Sequence, residues 1–315
     1  MRIARVRAIA LACAMITNVV VVLLGTSLQA QTAPPPAAAQ NPSPMSESTR
    51  AHERLVQRAL LGTVRTFAGP DGKPVELYIP ANMSGQRTFP LVIHFHGAAW
   101  VAHRAAEDFG HHTVCAVLNL GTGSGVYDRA FRMPGALDSL VANITREVGL
   151  VTNTTAAVER MTLTGWSAGH GAIRAILRQP NGLAAIYGVM LIDGMHTSYI
   201  PEGTPLAAGG TIDSTNLTAL TAFARAATHG DKRMLVTHSE IFPGTFVSTT
   251  ETADWMLQSL GLARQRVLKW GPRGLQQLSE VRREQFELMG FAGNSAPDHV
   301  DQYHAMPELL KRLLK

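Results

Sequence analysis

The chain has 315 residues, 46% of them hydrophobic and 16% charged, with a formal net charge of +5. This size and balance exclude a disordered chain and a polytopic membrane protein, and leave room for one large core that needs no metal or disulfide staple. Arg2, Arg5 and Arg7 carry three of the positive charges, leaving +2 for the rest, and no Lys/Arg block interleaved with aromatics marks a nucleic-acid partner.

Those arginines precede an apolar run from Ala8 to Leu24 and then Ser27-Leu28-Gln29-Ala30. A basic start, an apolar stretch and a small residue at its end are the layout of a secretory signal, so residues 1–30 are predicted to be a signal peptide cut after Ala30. The mature protein is then expected in the periplasm or outside the cell, without stable membrane association; the alternative is an anchor through residues 8–24. Residues 31–48, QTAPPPAAAQNPSPMSES, lack apolar periodicity and read as a Pro/Ala-rich linker to a single domain over 49–315. Loss of the signal would remove Cys13 and leave Cys115 unable to form an intrachain disulfide. Its setting, Val114-Cys115-Ala116-Val117-Leu118, reads as a buried strand.

Within the domain, Leu61–Ala68 and Pro74–Ile79 predict a hairpin across the turn Gly69-Pro70-Asp71-Gly72. Apolar strands are expected at Pro90–His96, Thr113–Leu120, Glu159–Thr164, Tyr187–Ile192, Arg233–Thr237 and Glu284–Phe291. Helices are expected at Ala136–Val148, Ala168–Arg178, Thr250–Leu260 and Met306–Leu314. Continuously apolar strands that alternate with helices predict an α/β fold: a doubly wound, mostly parallel sheet of about eight strands with helices on both faces. The stretches 194–232 and 261–283 exceed ordinary connections and are expected to form a cap or a substrate-binding rim. Gly121-Thr122-Gly123-Ser124-Gly125 lacks the lysine of a phosphate loop and reads as a flexible loop at the crevice.

The chemistry sits in Gly165-Trp166-Ser167-Ala168-Gly169, directly after a strand and before a helix. A serine in that sharp turn is held above the sheet at a helix N-terminus, which predicts a nucleophile at Ser167 and an oxyanion donor in the amide of Ala168. The earlier strand ends His94-Phe95-His96-Gly97-Ala98-Ala99, where Gly97 or Ala98 is expected to supply the second amide and His96 to shape the loop. Six histidines follow the serine: His170, His196, His229, His238, His299 and His304. His299, in the turn-rich segment Asn294–His299 after the last strand, is expected to be the general base, with His304 as the alternative. Asp193, where an apolar strand stops before Gly194, is the expected acid, and Glu240, ending the next strand, is the alternative. Trp100 and Trp166 read as pocket wall. Scattered histidines, with no HExxH or paired-cysteine spacing, predict no metal, and nothing predicts a cofactor.

In these pieces the chain resembles the α/β-hydrolase superfamily over about residues 60–315. The resemblance implies a Ser-His-acid triad of Ser167, His299 and Asp193 acting by acyl transfer on a small or polymeric carboxylic ester. The loop His96-Gly97-Ala98-Ala99 departs from the His-Gly-Gly-Gly of some esterases and lipases, and many relatives place the acid one strand later, which keeps Glu240 open. A serine peptidase or amidase would carry the same triad, and a non-catalytic binding protein is the reading from a different class.

Overall fold

The computed structural model describes residues 52–315; the expected signal and linker lie outside the described residues. Twelve strands can be followed in chain order. The first hairpin is β1 (Thr63–Ala68) with β2 (Pro74–Ile79), paired antiparallel with Thr63 opposite Ile79. Then come β3 (Thr88–Phe95), helix α1 (Ala99–Phe109), β4 (Val114–Leu118), α2 (Ser124–Arg132), α3 (Ala136–Thr152) and β5 (Ala157–Trp166). A one-turn 3-10 segment, Ser167–Gly169, leads into α4 (His170–Leu177), followed by β6 (Gly188–Ile192) and a small pair, β7 (Tyr199–Ile200) and β8 (Thr211–Ile212). The rest is α5 (Thr218–Thr228), β9 (Arg233–His238), α6 (Thr249–Leu260), β10 (Gln265–Trp270), β11 (Gln276–Arg283), β12 (Phe286–Phe291), α7 (Ala296–His304) and α8 (Met306–Leu314).

One sheet runs β1-β2-β4-β3-β5-β6-β9-β12-β11-β10. Its centre, from β4 to β12, is parallel, and each end carries an antiparallel hairpin. Side chains alternate across it with the period of a strand. Leu91, Ile93, Val114, Ala116, Val189 and Leu191 face one core with α2 to α6. Val92, Cys115, Val117, Met190 and Ile192 face the other, with α1, α7 and α8. Cys115 is fully buried there, and burial raises its thiol pKa, as expected of an inert core cysteine.

The architecture is the doubly wound one, but the sheet has ten strands instead of about eight. The two extra strands come from 261–283, which forms neither a cap nor a rim. Gly271-Pro272-Arg273-Gly274 turns β10 into β11, repeating the Gly-Pro-x-Gly turn of the first hairpin, and Arg273 takes φ +51° as Asp71 takes +52°. The sequence QRVLKW hides this strand because β10 is a sheet edge with almost every residue exposed, so no apolar alternation marks it. Of 194–232, residues 218–228 form α5, whose Leu220, Phe223 and Ala224 join the core. Gly121–Gly125 is also not a free loop, because α2 begins inside it at Ser124. No helix among the described residues is long and apolar enough to cross a membrane.

Candidate active site

The site is built where β5 stops. Strand geometry carries the chain to Trp166, and Ser167 then turns back with φ +49°, in the left-handed region that costs a residue with a Cβ. Neighbouring glycines make the turn possible by close approach. A Cβ on Gly169 would lie 2.0 Å from the carbonyl oxygen of Phe95, and one on Gly194 would lie 2.5 Å from the carbonyl oxygen of Ser167. Ala168 is the second residue of this 3-10 turn, a position whose amide a helix's own ladder leaves without a partner, as an anion-binding helix start requires.

Beside the serine, His299 Nδ1 donates to Asp193 Oδ2 at 2.7 Å. Asp193 follows β6, takes φ +41° and is 1% exposed. Its other oxygen, Oδ1, accepts the Ser239 amide (2.9 Å), the Ser239 hydroxyl (3.0 Å) and the Thr249 hydroxyl (2.8 Å). Burial by itself raises the carboxyl pKa; the hydrogen bond and charge of His299 and the Ser239 and Thr249 donors outweigh it and hold the group at about 2. With Nδ1–H committed to a carboxylate, the neutral imidazole keeps its lone pair on Nε2, which has no partner among the described residues. Ser167, Asp193 and His299 line one cavity of about 320 Å³, together with Ile241, Phe242 and Phe246.

The two alternatives lie elsewhere. His304 ends α7 and accepts the Leu55 amide on Nδ1 at 3.1 Å, with Trp100 against its ring. Glu240 is exposed and accepts the Gly293 amide at 3.4 Å. Its place in the chain, after β9, is taken over spatially by Ser239, which donates to Asp193 instead of supplying a carboxylate. His299 itself sits in the first turn of α7 and not in a loop. Ser295 caps that helix in a reciprocal box with Asp298, and the Asn-Ser-Ala-Pro run that reads as a turn is this cap followed by proline in the first helical turn.

The two expected second oxyanion donors, Gly97 and Ala98, are placed differently. The Gly97 amide is donated to Asn119 Oδ1 at 2.9 Å, and the Asn119 side chain returns a bond to the Gly97 carbonyl, also at 2.9 Å. Gly97 is therefore spent on holding the loop, whereas the amide of Ala98, the residue before α1, has no partner among the described residues. His96 shapes the same loop by bonding Tyr127 at 2.8 Å, and Tyr127 in turn bonds the backbone of Leu120 and Gly121.

Three side chains escape sequence reasoning. Ser239 and Thr249 hold Asp193 from residues 46 and 56 positions away, and no spacing announces that. Trp166 is more than wall: its ring stacks on His299 at 4.6 Å, and its Nε1–H donates to the His299 carbonyl at 3.1 Å. Its position beside the serine was the available signal. A fourth feature, His52 with Asp298 and Asp301, brings metal-ligating atoms within 4.8 Å of one another, but His52 and Arg54 already pair with Asp301 and Asp298 caps α7.

No family model matches the chain, and no curated protein matches it. Among solved structures it is similar to an acylaminoacyl peptidase from Pyrococcus horikoshii, with 15% identity and a TM-score of 0.47 over 82% of this chain and 42% of that one. The chain thus spans less than half the length of that peptidase. It is similar to a siderophore hydrolase from Aspergillus nidulans, with 11% identity and a TM-score of 0.45 over 82% and 95% of the two chains. A structure described as an arylesterase aligns at 14% identity and a TM-score of 0.44 over 84% and 89%. With its β1-β2-β4-β3-β5-β6 strand order continued by β9 and β12, and with Ser167 in the sharp turn after β5, the chain has the α/β-hydrolase fold.

Proposed function

We propose that the protein is a serine hydrolase that cleaves a carboxylic ester, with Ser167 as nucleophile, His299 as general base and Asp193 as the acid that orients it. The observation that carries this reading is the 2.7 Å bond from His299 Nδ1 to the buried Asp193, in a cavity that Ser167 shares. In the first step His299 Nε2 takes the Ser167 proton as Oγ attacks the carbonyl carbon. The amides of Ala168 and Ala98 receive the developing oxyanion. Collapse breaks the bond to the leaving alcohol, which departs with the proton from His299 and leaves an acyl-serine. Water then attacks, gives its proton to His299, and releases the acid as Ser167 regains its hydrogen. Trp166 keeps the imidazole in place through its stacking and its bond to the His299 backbone.

The test is covalent. A fluorophosphonate probe should label the wild type and fail on Ser167→Ala, and hydrolysis of p-nitrophenyl butyrate should be lost with the label. A folded wild type that takes no label overturns the reading. A panel of aminoacyl anilides beside the esters separates amidase from esterase: faster anilide cleavage overturns the ester assignment and leaves the triad standing. Residues 1–30 we propose as an export signal; the mature N-terminus measured after expression in a secreting host should be Gln31.

A further inference from the structure

Ser167 and Ala168 line a second cavity, of about 420 Å³, whose further walls the acyl-transfer chemistry does not use. His196 and Phe246, in edge contact at 5.0 Å, line both cavities and divide them. The first cavity has apolar walls at Ile241, Phe242 and Pro243. The second is the more polar of the two: Thr122, Ser124, His170, Arg174, Thr197 and Asn216 line it, and no carboxylate does among the described residues.

Arg174 is 8% exposed. It pairs with Asp128 through Nε (3.1 Å) and Nη2 (3.0 Å), while its Nη1 has no partner among the described residues. Asp128 is itself 2% exposed and also pairs with Arg132 and with Arg178 at 3.7 Å. Arg132 and Arg178 reach Asp128 from its solvent side and do not line the cavity, so Arg174 is the guanidinium that faces it. With Arg132 and Arg178 also on Asp128, that carboxylate is shared, and the Arg174 Nη1 is left to meet an anion in the cavity. The opposite wall also favours an anion. Helix α2 starts at Ser124 after Gly123, with no side chain capping it, so the positive end of its dipole meets the same cavity. His170 donates Nδ1–H to the Ser167 carbonyl at 2.9 Å, and its ring meets that of His196 edge-on at 5.8 Å. Burial lowers the pKa of His170 to about 3 and lowers that of His196 as well, so both rings stay neutral and Arg174 is the cation of the cavity.

We infer that this cavity binds a carboxylate, and that the preferred substrate is an acidic ester carrying that group on the side of the scissile bond that enters past Arg174. The inference rests on the hydrolase reading for its chemistry but on Arg174 for its specificity. A charge-assisted bond to a buried guanidinium corresponds to a preference of about tenfold or more. The test compares p-nitrophenyl hemiesters of succinic, glutaric and adipic acid with neutral esters of equal length, and butyrate esters of hydroxy acids with those of plain alcohols. At least one acidic set should exceed its neutral counterpart in kcat/KM by about tenfold, and Arg174→Met should bring that ratio toward one. A ratio near one in the wild type, or a ratio that survives Arg174→Met, overturns the inference while neutral turnover still upholds the hydrolase. A measurement without turnover covers failure of that reading. Calorimetric titration of Ser167→Ala protein with glutarate and with neutral pentanamide should show tighter binding of the dianion, an advantage abolished by added Arg174→Met. Equal binding of the two ligands overturns the site.

Discussion

Asp193 shows how one residue acquires its role from its surroundings. Three donors on Oδ1 and an imidazole N–H on Oδ2 saturate a buried carboxylate, and a saturated carboxylate stays ionised. Ionised, it selects the His299 tautomer whose Nε2 can take a proton, and in the proposed mechanism it stabilises the imidazolium that forms. Asp193→Asn should therefore lower kcat/KM by about three to four orders of magnitude, and His299→Ala by at least as much, with the fold retained in circular dichroism. Glu240→Gln and His304→Ala should stay within about threefold, because neither side chain meets the pair. A large loss in either of these two would reverse the assignment. Sequence reasoning could separate Asp193 from Glu240 only by the abrupt end of an apolar strand. The physical separation is the trio of hydrogen bonds, and it comes from α6 and the end of β9, which no local pattern connects to Asp193.

At the scale of elements, the turn from β5 to α4 is the tightest junction of the site. It was legible because its demands are local: a strand, small residues two positions either side of a serine, then a helix. Gly169→Ala tests the close approach. The added Cβ meets the Phe95 carbonyl at 2.0 Å, a backbone atom that cannot swing aside, so stability should fall by more than about 3 kcal/mol in urea unfolding or soluble protein should be lost. The segment around His299 was less legible. Asn, Ser and Pro serve turns and helix starts alike, and here they cap α7, so His299 rides on a helix end fixed by Ser295 and Asp298. Removing that cap with Ser295→Ala should cost about 1 kcal/mol of stability. It should also lower kcat more than it raises KM, readable in steady-state kinetics, because the displaced group is the proposed base and not a binding surface.

The whole molecule couples the site to stability through Asp193. Its pKa falls from the usual 3.8 unfolded to about 2 folded. A depressed carboxyl pKa stabilises the native state above the unfolded value, and the contribution is lost as pH falls from about 4 through about 2. Urea midpoints at pH 5 and pH 3 should therefore drop further for the wild type than for Asp193→Asn, and equal drops would show that the carboxylate is not held by its partners. The sequence by itself determined the doubly wound sheet, its two buried faces and the sharp turn that holds Ser167, since continuous apolar strands and a strand-serine-helix junction are signals carried by neighbours in the chain. It missed the β10–β11 hairpin, because an exposed edge has no burial pattern to leave in the residues. Only the tertiary structure decided that Gly97 is spent on Asn119, that Ser239 holds the acid instead of being replaced by one, and that Arg174 faces a cavity beside Ser167. Each of these joins residues far apart in the chain whose contact exists only once the strands are laid in the order β4-β3-β5-β6-β9.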